Sequence, residues 1–299
     1  MEIKLEQYRV FEAAAREKSF SAAARKLFIS QPAVSQSVAQ LEESLGVRLF
    51  LRRGRTVELT GEGELLYGYV HTALGLLSSG ENQLLRLRTL TAGELRIGAG
   101  DTVSRWFLLP VIERFHREYP DVALRITNRT SGETVRLLQD GKLDLGLVNL
   151  PLSASGVLFE ECMPVHDVFV AGNRYAELSG RTLSLAELSS YPLLMLERSA
   201  NSRRWADRHF LSNGLAPKAE IELGAHHLLL DYAGIGLGIA CVVREWSQHA
   251  LLRGDVFEIP VDPPIPARSI GFCYLEGIPL SAAARTFIEM TKEHRHDNL

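Results

Sequence analysis

The chain is poor in the residues and motifs that covalent, redox or membrane chemistry would need. Its three cysteines, Cys162, Cys241 and Cys273, are far apart, odd in number and without a CxxC spacing. That spacing suggests neither a disulfide framework nor a cysteine zinc site. A redox-sensing pair stays open as an alternative, although buried thiols usually only pack. No HExxH, GxSxG or P-loop occurs, and no spacing links Ser199 to His226 as nucleophile and base, so no enzyme activity, cofactor or metal is expected. No run approaches the roughly 18 apolar residues of a membrane span. The start MEIKLEQYR lacks a basic-then-apolar leader, which leads us to expect a cytoplasmic protein with no membrane partner.

What is present describes an ordinary globular chain of 299 residues, 46% hydrophobic and 23% charged, long enough for two or three domains. The net charge of −3 is unevenly spread. Residues 1–60 hold ten Lys and Arg against seven Asp and Glu, and the remainder holds 23 against 29. Attraction to phosphate therefore belongs to the N-terminal part.

Ser19 to Arg53, SFSAAARKLFISQPAVSQSVAQLEESLGVRLFLRR, reads as two short helices joined by a tight turn. Ala22, Ala23 and Ala24 are small where helices must nearly touch, and Leu27 and Ile29 close the apolar face. Ser30 can cap the second helix, and Pro32 is tolerated in its first turn. Val34, Val38, Leu41 and Leu45 recur at three- and four-residue spacing as a buried stripe. That leaves Gln31, Ala33, Ser35, Gln36, Ser37 and Gln40 for other faces. Ser and Gln at a helix start suit hydrogen bonds to base edges in a DNA major groove.

The segment, with LEQYRVF before it and GVRLF closing it, resembles the LysR-type transcriptional regulators, and the resemblance extends over essentially the whole chain. It implies an all-α winged helix-turn-helix N-terminal domain (1–60) and a long linker and dimerisation helix (61–90). A two-lobed α/β sensor domain of the periplasmic-binding-protein type (91–299) follows. Lobe I is expected at about 91–163 and 268–299, and lobe II at about 164–267. The implied partners are double-stranded DNA, a small anionic effector, a second copy of the chain assembling to dimer and tetramer, and RNA polymerase. The implied operator is partly palindromic, of the T-N11-A type.

The chain's own pattern fits that outline. Residues 4–17 give a first helix, and Thr56 to Leu59 a wing hairpin behind Arg52, Arg53 and Arg55. Leu66, Val70, Ala73, Leu77, Gly80, Leu84 and Leu87 alternate spacings of four and three, a heptad seam on a rod of about 45 Å. Packing of that helix onto its own sensor domain is the alternative to a dimer. Beyond Gly93, strands at 94–98, 122–127 and 143–148 alternate with helices at 106–119 and 133–139, which implies a mostly parallel sheet. A second such unit begins near Val165, and 269–274 with the helix 282–293 returns to the first lobe. The tail around His294 and His296 reads as a solvated terminus.

By the resemblance, Ser30, Gln31, Pro32, Ser35, Gln36 and Gln40 face DNA, with Arg52, Arg53 and Arg55 on phosphate or the minor groove. Arg25 and Arg48 are further phosphate candidates, and Arg48 reads equally as a helix-end surface charge. Gln36 stands where related proteins often carry Arg, which predicts a preference for adenine over guanine there. Helix starts facing a cleft suit an anion. Thr102, with Val103 and Ser104, matches a hydroxyl position that holds a carboxylate, although Asp101 beside it is less welcoming to one. Thr130 and Ser131 match a second position, where Ser131 reads also as a helix cap. Asn149, the loop from Ser199 through Ser202 to Arg203, and the pair His226 and His227 before the glycine-rich run 233–239 complete the expected set. That run is not a dinucleotide fingerprint, because an apolar segment continues through it.

Overall fold

The structure, a computed structural model, describes residues 3–53, 56–88 and 93–297. Two compact units divide it. One holds Met1–Leu90 with Gln139–Lys142 and Ala154–Gly156, and the other holds the rest.

In the first unit α1 (Leu5–Glu17), α2 (Phe20–Leu27) and α3 (Gln31–Leu45) precede the hairpin β1 (Phe50–Arg53) and β2 (Thr56–Leu59), and α4 (Gly61–Arg88) follows. Local chemistry sets each boundary. Ser19 and Ser30 cap α2 and α3 by accepting from the N–H groups of Ala22 and Ala33, both at 3.3 Å. Gly46 ends α3 at φ 70°, a left-handed conformation that a side chain would strain. Phe11 and Phe20 pack on Phe50 with ring centroids 5.5 and 5.4 Å away, anchoring the hairpin to the three-helix core. Glu42 adds a second anchor, its carboxylate accepting from the N–H groups of Leu49 at 2.7 Å and Phe50 at 3.2 Å.

Two sequence expectations are corrected here. Leu45 is exposed because α3 outruns the core that Val34, Val38 and Leu41 fill, and Ile29 is exposed in the turn between α2 and α3. On α4 the predicted seam divides: its start, Leu66 and Val70, turns inward, while Ala73, Leu77 and Gly80 stay exposed. Val70 is buried in the unit's own core, with Leu66 and Leu74 packed beside it. The apolar side chains left outside are Leu65 (66% exposed), Tyr69 (68%) and Leu77. The side chains of Leu84 and Leu87 lie outside the described residues.

The second unit contains two five-stranded mixed sheets. Its chain runs β3 (Glu94–Ala99), α5 (Asp101–Val103), a π-helical turn (Ser104–Leu108), α6 (Leu109–Glu118), β4 (Ala123–Asn128), α7 (Ser131–Gln139), β5 (Leu145–Asn149) and β6 (Val157–Val165). It then crosses into β7 (Asp167–Ala171), a 3-10 turn (Asn173–Leu178), β8 (Leu183–Ser184), α8 (Leu185–Leu188), β9 (Leu193–Leu196), α9 (Asn201–Ser212), β10 (Ala219–Leu223), α10 (His226–Gly234), β11 (Ile239–Val243), α11 (Arg244–Arg253), β12 (Phe257–Ile259) and β13 (Val261–Asp262). Finally β14 (Arg268–Leu275) and α12 (Ala282–Asp297) return to the first sheet. The strand orders are β4-β3-β5-β14-β6 and β10-β9-β11-β7-β12. In each, three neighbouring strands are parallel and the strand beside them, β14 in the first sheet and β7 in the second, runs antiparallel.

The central strands β9 and β11 of the second sheet are covered on both faces and are continuously apolar. Around β7 the faces separate by parity. Phe169 packs with Leu193, Met195 and Phe210 on one side, while Val168 and Val170 pack with Leu194 and Leu229 on the other. Val243 and Trp246 of the second lobe join Val103, Phe107 and Phe272 in the first lobe's core, which ties the lobes across their crossing strands.

The glycine-rich run carries the chain from the end of α10 through a turn into β11. Gly236 sits at φ 82°, and a Cβ on Gly238 would strike the Pro192 carbonyl. The tail is helical as far as Asp297.

Candidate functional site

In the first unit the surface available to a partner is the start of α3. Ser30, Gln31, Pro32 and Gln36 are exposed, and Ser35 is half-buried. Gln40 is exposed too, but its side-chain carbonyl accepts from Gln7 Nε2 at 3.3 Å and is held toward α1. Arg48 is paired with Glu42 at 3.3 Å, which gives weight to its surface-charge reading. Arg55 and the side chains of Arg52 and Arg53 lie outside the described residues.

Between the two sheets of the second unit lies a cleft of about 400 Å³. Four helix starts line it: Gly100 to Val103, Thr130 with Ser131, Ala200 to Ser202, and Gly224 with His226. Each comes from the carboxyl end of a parallel strand, β3, β4, β9 and β10, where open α/β sheets place their ligands. The first-turn N–H groups of these helices have no partner inside the helix. Gly100, Ala200 and Ala225 supply no side-chain cap.

The expected ligand residues divide into three sets. Thr102, Val103, Thr130, Ser131, Asn149, Ser202 and His226 all line the cleft. Within this set some polar atoms are already engaged. The Thr130 hydroxyl donates to Glu133 at 2.7 Å in a capping box, so Thr130, not Ser131, caps α7. Those same bonds hold the Glu133 carboxyl below its ordinary value. Ser131 Oγ accepts from the Asn149 N–H at 3.0 Å, which leaves the hydroxyl proton to donate elsewhere. Asn149 is a junction: its backbone carbonyl accepts from Asn201 at 2.6 Å and its side-chain oxygen from Arg268 at 2.6 Å.

A second set falls outside the cleft lining: Ser104, Ser199 and His227. Ser104 has turned into the protein, its hydroxyl buried without a hydrogen-bond partner among the described residues. Ser199 precedes the helix start and is exposed. His227 follows His226 on α10, one residue round the helix, so the two rings cannot face the same way. The third set is Arg203 alone. It is buried, and its guanidinium is spent on Asp207 at 2.8 Å, the Leu196 carbonyl at 2.7 Å and Glu222 at 3.2 Å. It lines only a void of about 20 Å³.

Charges in the lining are few. Arg129 is its cation and Asp101 and Glu133 its carboxylates, with Asp101 accepting from Asn128 at 3.2 Å. The sequence pattern includes Asn201 in the loop from Ser199 to Arg203 but singles out neither Asn128 and Arg129, at the end of β4 just before Thr130, nor Trp246.

The thiols offer little to redox chemistry. Cys162 and Cys273 are buried, and burial raises Cys241 and pushes Cys273 up to about 12, which disfavours the reactive thiolate. Among the described residues no cluster could hold a metal ion, and no helix is long and apolar enough to cross a membrane.

Comparison with known proteins agrees with this architecture. Residues 5–64 match the bacterial regulatory helix-turn-helix family of the LysR type, and residues 88–295 match the LysR substrate binding domain. The chain is 31% identical over 262 residues to the transcriptional regulator CbbR of Rhodospirillum rubrum, covering 86% of this chain and 87% of that one. It is 31% identical over 291 residues to the RuBisCO operon transcriptional regulator of Allochromatium vinosum, covering 97% and 95%. The crystal structure of HinK, a LysR family regulator from Pseudomonas aeruginosa, superposes with a TM-score of 0.59 at 25% identity, covering 98% of each chain. The chain therefore belongs to the LysR family of transcriptional regulators, with a helix-turn-helix unit for DNA and a substrate-binding domain behind it.

Proposed function

We propose that this regulator binds a partly palindromic promoter site as a homo-oligomer and that a small anionic metabolite, held in the cleft between the sensor lobes, changes its DNA contacts. The observation that carries the reading is the convergence of four helix starts on one cavity with the hydroxyls of Thr102, Ser131 and Ser202 among them. Helix starts favour negative charge. Thr102 and Ser131 contribute hydroxyl donors from lobe I, and Ser202 contributes from lobe II.

DNA contact is assigned to Ser30, Gln31, Pro32, Ser35 and Gln36, with Arg52, Arg53 and Arg55 on the phosphates. Self-association is assigned to α4. The effector acts by binding one arrangement of the lobes better than another, and the response cannot exceed that difference in affinity.

Thermal unfolding of the full chain against carboxylates, phosphates and amino acids tests the cleft, since a native-state ligand stabilises in proportion to its concentration over Kd. A saturable rise that Thr102→Val abolishes is expected. A rise that Thr102→Val leaves intact would move the site out of the cleft.

A further inference from the structure

His226 has one ring nitrogen committed and one free. Its side chain is 2% exposed and lines the cleft as the first residue of α10. The Val243 N–H donates to Nε2 at 3.0 Å, so Nε2 carries a lone pair and no proton. Burial foremost, aided by the charges of His227 and Arg268, holds the ring's pKa down to about 4, and the imidazole is neutral at pH 7. Its single proton is therefore on Nδ1. Nδ1 is buried and has no hydrogen-bond partner among the described residues. The Trp246 ring, edge-on at 6.2 Å, flanks the imidazole.

Its surroundings favour one kind of acceptor. Two of the helices that start at this cleft, α9 with twelve residues and α10 with nine, follow Ala200 and Ala225, neither of which can cap them. Ser202 adds a hydroxyl. Among the described residues, lobe II lines this part of the cleft with no carboxylate, and the cations beside it are engaged, Arg203 with Asp207 and Glu222 and Arg204 with the Asn201 side-chain oxygen and the Ser199 carbonyl. The donors are thus neutral N–H and O–H groups, and Nδ1 of His226 is the buried, unpartnered one.

We propose that His226 is the residue by which lobe II holds the effector, donating its Nδ1–H to an oxyanion oxygen, carboxylate or phosphate, of the bound metabolite. The inference rests on the reading of the cleft as the effector site. It differs from a purely structural role, in which His226 only supports Val243.

Two substitutions separate the roles. In His226→Gln the longer amide can accept from the Val243 N–H but puts no donor where Nδ1 stands. In His226→Asn the amide occupies the Nδ1 position and falls short of Val243. The full chain is titrated by calorimetry with acetate and, separately, with inorganic phosphate, and its melting temperature is recorded. His226→Gln is expected to keep its melting temperature and to weaken anion binding about 10- to 100-fold, the effect of one hydrogen bond to a charged group. His226→Asn is expected to melt lower and to bind nearly as wild type, which keeps the test valid should the Gln variant also lose stability. Binding of acetate alone assigns a carboxylate, and binding of phosphate alone a phosphoryl group.

Anion binding weakened by Thr102→Val but untouched by His226→Gln overturns the role of His226 and leaves the cleft as the site. Binding that neither substitution weakens lies elsewhere and overturns both. No binding of either anion by the wild type overturns the oxyanion assignment.

Discussion

Arg268 and Asp167 form a two-pronged ion pair where the chain passes between its two sheets, with Nε to Oδ2 at 2.6 Å and Nη2 to Oδ1 at 2.9 Å. Both side chains are almost wholly buried. The third arm of the guanidinium reaches Asn149, whose N–H is bound to Ser131 and whose carbonyl is bound to Asn201. One arginine thus supports residues from both lobes of the cleft. Removing one member of such a pair strands the other charge without water, at a cost of about 3–5 kcal/mol. Arg268→Ala should lower the urea midpoint accordingly, and Asp167→Asn, which keeps its shape and one acceptor, should cost less. Equal midpoints for Arg268→Ala and wild type would show the pair to be energetically neutral.

The His226 ring gives stability a defined acid limb. Its folded pKa of about 4 lies below the ordinary 6.5, so the unfolded chain takes up the proton first. Stability from this group is whole above about pH 6.5 and is lost as pH falls toward 4, by about 3 kcal/mol across the window. Asp167 and Arg203 line the small void beside the ring, and His227 and Arg268 act on it by charge. All four groups are present in both proteins when His226→Gln is compared with wild type. Urea midpoints measured from pH 7 to pH 4 should fall less steeply in the variant.

Gln36 is exposed on the first turns of α3, where a side chain can reach base edges. Gln pairs with adenine through N6 and N7, and Arg pairs with guanine through O6 and N7. Gln36→Arg should shift one position of each half-site from A toward G in a binding-site selection. An unchanged sequence preference would remove Gln36 from the reading surface.

Leu65, Tyr69 and Leu77 leave an apolar line on α4 that its own unit does not cover. Tyr69→Glu combined with Leu77→Glu should shift sedimentation toward the monomer at a fixed protein concentration. It should do so without lowering the melting temperature of the helix-turn-helix core, which holds Val70 instead. An unaltered sedimentation profile would assign self-association to another surface.

Phe28 ends α2 at φ 56° with its ring 95% exposed. A large residue in the left-handed region is strained by about 1 kcal/mol, and Asn tolerates it better. Phe28→Asn should therefore raise the melting temperature by a few degrees, while operator affinity measured alongside reports whether the ring touches DNA.

The DNA-reading unit was legible because its signals are local. Ser30, Pro32 and Gly46 mark the ends of α3 with cap chemistry that needs no tertiary context. The sensor was less so. Helix α10 was missed because Ala225 gives no capping signal and the glycines after it mimic a loop. Strand β6 was missed because its charges and Pro164 break the apolar pattern, which an edge position in the sheet tolerates. Arg203 looked available from sequence. Asp207, four residues on, was a visible warning, but Glu222 arrives from β10 and only the fold reveals it. At the start of α4 the unit's own core takes Leu66 and Val70 and leaves Leu65 and Tyr69 outside; helix periodicity cannot say which of two adjacent apolar lines that core will consume.

Arg268 and Val165 are direct partners in the antiparallel pairing of β14 with β6. Everything from residue 166 to residue 267 therefore leaves and re-enters the first sheet through the gap between two facing backbone positions, about 5 Å wide. Topologically the whole second lobe is the loop of a β-hairpin. A chain that lost or exchanged that lobe would keep the strand order and register of the first sheet. Replacing one lobe with another of different chemistry asks that its two ends meet at that spacing and that it supply partners for Arg268 and for the core face now filled by Val243 and Trp246. Half of the cleft can then diverge while the half facing it stays unchanged.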